Sequence, residues 1–94
     1  MKVVHVLGQL KVRSYEEWKP DFDKRSTIRE KNGSKGACLF RDIHDHNQVV
    51  ILFEWDSLEN AHNYFESESL QKSLEEEGHQ IINIIYLDDI EKTI

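Results

Sequence analysis

Two segments of the chain are apolar at both odd and even positions. Gln48-Val-Val-Ile-Leu-Phe-Glu-Trp55 and Gln80-Ile-Ile-Asn-Ile-Ile-Tyr-Leu87 are rich in β-branched and aromatic residues and read as strands. A strand with one face in water alternates apolar with polar positions. Here every residue from Val49 to Phe53 is apolar, and Asn83 alone interrupts the run from Ile81 to Leu87. Both faces of such a sheet call for cover. Residues 3–12 form a further strand that does alternate: Val4, Val6, Leu10 and Val12 share one side with Gly8, while Val3, His5, Leu7, Gln9 and Lys11 share a mixed side.

Helical spacing fills the intervals. Ser14-Tyr-Glu-Glu17 has the form of a capping box, and Tyr15, Trp18, Phe22 and Ser26 make one stripe with Arg25 and Arg29 at its border. Pro20 lies beyond the first turn and predicts a kink or a 3₁₀ start; Asn32-Gly33 ends the helix. Residues 35–43 predict a strand, and His44-Asp-His-Asn47 a hairpin loop. Asp56-Ser57 caps a second helix with Leu58, Ala61 and Phe65 in register; the pattern resets at Ser67 to Ser69 and continues through Leu70 and Leu74. Three glutamates before Gly78 oppose the helix dipole, so that end is expected to fray. Residues 88–94 read as a mobile or partner-dependent tail.

The order β-α-β-β-α-β predicts one domain over residues 1–94: an α+β, ferredoxin-like, four-stranded antiparallel sheet with two helical segments on one face. The helices cover one side, and a second copy of the chain is the expected cover for the other, giving a homodimer through the sheet face. Ninety-four residues bury a modest share of their surface, so self-association adds useful burial. The net charge of −6 opposes binding to nucleic acid or anionic membrane. A single cysteine, Cys38, excludes an internal disulfide and is expected to be buried and inert. No apolar run is long enough for a membrane span, no export segment is read at the N-terminus, and the cytoplasm is the expected compartment.

Tyr15-Glu-Glu-Trp18 with Phe22, Val50-Ile-Leu-Phe-Glu-Trp55, and Ala61-His-Asn-Tyr-Phe65 leading to Ser69-Leu70 resemble the dimeric α+β-barrel group, in particular the small antibiotic-biosynthesis-monooxygenase-like domains. The resemblance implies two sheets packed face to face across a dimer and ligand pockets between each sheet and its own helices. Among the activities it implies, haem degradation is not expected: Tyr64 resembles a helical aromatic of the haem-degrading members, but Leu74 stands where they carry the iron-ligating histidine. The strand-one asparagine of quinone-forming members matches His5 loosely, and Trp55 resembles a strand-end tryptophan of the group.

Four residues are candidate ligand contacts. His5 is either a proton-shuttling ligand contact with Gln9 or a histidine satisfied by a neighbouring strand. Glu54 interrupts an apolar strand and needs a partner, Arg41 or a base across the dimer, unless it serves a ligand. Asn83 breaks the last strand in the same way. Tyr64, with Trp18 and Phe65, lines any pocket beneath the helices or simply packs the core. His44-Asp45-His46 has zinc-ligand residue types but sits in a hairpin loop, so no metal site is assigned there; His62 and His79 are expected on the surface. The reading is a small-molecule enzyme of the monooxygenase-like kind, without cofactor, acting on an aromatic or apolar molecule; the alternatives are a non-catalytic binder or sensor and a structural dimer module.

Overall fold

The computed structural model describes residues 3–94. Its elements are β1 (Val4–Lys11), α1 (Tyr15–Lys24), α2 (Ser26–Lys31), β2 (Ser34–Arg41), β3 (Gln48–Trp55), α3 (Leu58–Phe65), α4 (Glu68–Glu76) and β4 (Gln80–Leu87). The strands form one antiparallel sheet in the order β2-β3-β1-β4, the ferredoxin-like arrangement. No helix among the described residues is long and apolar enough to cross a membrane.

Each expected helical segment is a pair of shorter helices. The first breaks at Arg25 rather than at Pro20, which α1 accommodates within its length. The expected capping box does not form: Glu17 is drawn instead to Arg13, at 2.8 Å, and Ser14 Oγ approaches Glu16. The break between α3 and α4 falls where the apolar pattern resets, with Ser67 accepting from the Leu70 amide. The glutamate-rich end of α4 is tied down rather than frayed. Arg25 holds Glu77 at 2.5 Å, and the His79 amide donates to the Leu74 carbonyl.

Val6, Leu10, Val49, Ile51, Phe53 and Trp55 face the helices and are buried, and Ile81, Ile84 and Tyr86 of β4 pack beside them. The helices contribute Trp18, Phe22, Tyr64, Phe65 and Leu74. Phe53, Trp55 and Phe65 sit within about 6 Å of one another, ring centre to ring centre. The fully buried Trp55 indole donates to the Asn32 carbonyl at 2.8 Å and fastens the end of α2 to β3. Gly33 turns the chain there at φ +111, and a Cβ on it would lie 2.3 Å from Asp56 Oδ1. Gly33→Ala is therefore expected to cost about 2–4 kcal/mol, read from the urea midpoint.

Among the described residues, no helix covers the opposite face of the sheet. Cys38, Leu52, Leu7 and Ile85 run across it in one row through the strand registers. Phe40 is 55% exposed, Ile82 46% and Ile85 40%. Cys38, expected to be buried, is exposed, because β2 is an edge strand and its Cys38 side faces away from the helices. The β1–β4 register shifts between Gln9 and Leu10, which leaves Ile82 as an extra residue.

Candidate functional site

The four residues singled out in the sequence do not share one pocket. His5 pairs across the sheet with Glu54, and Gln9 with Asn83, all on the uncovered face. His5 Nε2 lies 3.6 Å from Glu54 and Nδ1 lies 3.0 Å from Asp89 of the tail, so the partner of Glu54 is His5 rather than Arg41. Arg41 instead stacks its guanidinium on Tyr15. Tyr64 alone lies beneath the helices, against Trp55. The reason is strand parity: the dry side of β1, Val4, Val6 and Leu10, goes under the helices and carries the mixed side, with His5, outward.

Beneath the helices lies a small, partly open cavity of about 40 Å³, bounded by Gly8, Trp18, Phe22, Phe53, Tyr64 and Arg29. It has room for one small group, not for an aromatic ring. Phe65, Leu74, Ile81 and Ile84 line both it and a much larger open groove of about 660 Å³ between α3, α4 and β4. The two spaces are therefore immediate neighbours.

The groove carries a polar cluster that the sequence does not announce. Tyr86 donates to Glu66 Oε2 at 3.1 Å, Glu66 also engages His62 Nδ1, and the His62 ring stacks on Tyr86 with centres 4.2 Å apart. The two hydrogen bonds from His62 and then Tyr86 hold the Glu66 carboxyl below its usual range. A carboxylate accepts only, so His62 Nδ1 carries the hydrogen and Nε2 is left as the basic nitrogen. Burial first, and Glu66 second, push the Tyr86 phenol up to about 12. The native state then keeps a proton that an unfolded tyrosine releases near pH 10, so Tyr86 favours the fold below pH 10 and loses that effect as pH rises to about 12. Titration of tyrosinate absorbance is expected to show this late step, and Tyr86→Phe to remove it.

Two corrections concern the other histidines and arginines. His79 is buried rather than on the surface, its Nδ1 accepting from the Arg13 amide at 3.3 Å. Asp21, Glu77 and His79 converge closely enough for a metal ion. Arg25 takes Glu77 Oε1 and leaves Oε2 without a hydrogen-bond partner, but the amide bond to His79 Nδ1 leaves the hydrogen on Nε2, the nitrogen facing that oxygen at 3.8 Å, so the imidazole offers no lone pair to a cation there. The loop after β2 is a plain turn, with Asp42 Oδ1 accepting from the His44 and Asp45 amides. Arg29, placed by sequence at the border of a stripe, is buried beside Tyr64. Its Nη1 donates to the Phe22 carbonyl at 2.8 Å and its guanidinium stacks 3.7 Å from the Phe22 ring centre. Burial lowers the Arg29 pKa and raises that of Tyr64, and each partner counteracts the shift of the other.

No protein-family model and no curated protein sequence matches the chain. Solved structures do. SnoaB, a cofactor-independent oxygenase from Streptomyces nogalater, is similar with a TM-score of 0.76 at 10% identity, over 98% of this chain and 97% of its own. A Bordetella bronchiseptica protein provisionally named an antibiotic biosynthesis monooxygenase gives 0.71 at 14% identity, over 97% of this chain and all of that one. The chain shares the fold of the antibiotic biosynthesis monooxygenase-like proteins. A dimeric ferredoxin-like protein from an uncultured marine organism extends the likeness, with a TM-score of 0.56 at 12% identity over all of this chain and 93% of its own. On this monooxygenase-like fold, Trp55 is a core residue, and Leu74 lines both the cavity and the groove.

Proposed function

We propose that the protein is a homodimer that takes a small aromatic or apolar molecule into the cleft between α3, α4 and β4 and acts on it as a cofactor-independent, monooxygenase-like enzyme. The observation that carries this reading is a groove of about 660 Å³ with an apolar wall on one side and the Tyr86–Glu66–His62 cluster on the other. Glu66 orients His62, whose free Nε2 is suited to take a proton from a weakly acidic phenol or enol. The resulting anion supplies electrons to dioxygen directly: one oxygen enters as a carbonyl at a C–H carbon of the ring or enol, and the other leaves as water with the hydrogen of that C–H and the proton taken from the O–H. Tyr64 belongs to the inner end of this cleft. His5, Glu54 and Asn83 belong to the junction between sheets.

Oxygen uptake with a panel of phenols is the test. Turnover is expected, and His62→Ala is expected to lower it about 100-fold or more. Uptake indifferent to His62 would remove the assignment of the base. Binding of a phenol with no uptake would support the sensor reading on the same cleft.

A further inference from the structure

Arg29 is more than nine-tenths buried and has no carboxylate within ion-pair distance among the described residues. Supply is not the reason, since the chain has 18 acidic residues against 12 basic ones. Asp23, the acid that bears on it, is engaged by Lys19 at 2.7 Å. A buried charge is costly unless paired. The Phe22 carbonyl and ring offset part of that cost, but both are neutral. A guanidinium has five N–H donors; Nη1 gives one to the Phe22 carbonyl and the neutral Tyr64 oxygen takes another, so no acceptor here carries charge. Arg29 also borders the inner cavity, whose volume of about 40 Å³ suits one small polar head group.

We propose that Arg29, with the Tyr64 hydroxyl beside it, anchors the oxyanion of an otherwise apolar organic acid. The carboxylate, enolate or phenolate oxygen sits in the inner cavity, and the ligand body lies across Phe65 and Ile84 in the groove. The guanidinium plane matches two oxygens at once, and a Tyr64 phenol kept neutral by burial remains a donor. The missing counter-charge is thus the ligand's own. The inference rests on the cleft being the ligand site.

Calorimetric titration with naphthoate and with neutral naphthylmethanol separates the two ideas. Wild-type protein is expected to bind naphthoate at least about tenfold more tightly than the alcohol, as a charge-assisted bond implies. Arg29→Met is expected to abolish that preference while changing the affinity for the alcohol less than about twofold. Its ligand-free thermal midpoint is expected to stay level or rise, as for other unpaired buried charges replaced by apolar side chains. Arg29→Lys, which keeps the charge without the planar fork, is expected to fall between. Equal naphthoate affinity in wild type and Arg29→Met overturns the anchor and leaves the cleft standing. Failure of both probes to bind wild type overturns both. If Arg29→Met does not fold, Arg29→Lys decides: an unchanged preference for naphthoate there overturns the anchor.

Discussion

Leu52→Glu is expected to turn the proposed homodimer into a monomer. Leu52 lies on the second strand of the sheet, between Cys38 and Leu7 in the apolar row of the uncovered face. In a face-to-face pair of sheets the two introduced carboxylates are buried together, each already near Glu54 of its own chain. Unpaired buried charges cost several kcal/mol, so the dimer dissociation constant is expected to rise about 100-fold or more. Light scattering on a sizing column checks this: the mass falls from twice 11.1 kDa to 11.1 kDa. A wild-type protein that already runs as a stable single chain at micromolar concentration would refute the dimer outright. Glu54→Gln on the same face is the control and is expected to leave the dimer intact, because Glu54 is half exposed and, among the described residues, has His5 as its ion-pair partner.

Trp55→Ala is expected to be the most damaging single substitution for stability. Its side chain is fully buried and packs against Phe53, Tyr64 and Phe65. Removing it opens a large cavity and leaves the Asn32 carbonyl without its indole donor. Together these are expected to cost about 4–5 kcal/mol, a large share of the roughly 5–14 kcal/mol available to a chain of 94 residues. Urea unfolding at fixed protein concentration measures it. Trp55→Phe keeps most of the packing and is expected to lose only about 1–2 kcal/mol. A Trp55→Ala midpoint close to wild type would mean that the tie between α2 and β3 contributes little.

The architecture was legible because strand parity is a strong constraint. The doubly apolar runs in β3 and β4, and the dry set Val4, Val6 and Leu10 in β1, lead to a sheet with helices on one side and an apolar face on the other. The same parity contains the answer for His5, which shares its side with Leu7 and Gln9 rather than with the core. The groove cluster was not legible, since His62 and Glu66 look like an ordinary solvated helix pair until Tyr86, on a distant strand, is placed beside them. Arg29 was hidden for a related reason. A long side chain at the edge of a stripe either reaches water or folds inward, and the packing of α2 against β2 decides which. His79 and the break at Arg25 depend likewise on partners far along the chain, Arg13 and Glu77.

The irregularity at Ile82 makes the chain unequally tolerant of length changes. With one residue out of step, Ile81 and Ile84 both turn toward the helices although they are three positions apart, and both line the cavity and the groove. Removing a single residue between them restores regular alternation with both still inward, whereas removing one anywhere else in β4 sends half of the strand to the opposite side. Natural variation in chain length within β4 should therefore be confined to the irregularity at Ile82.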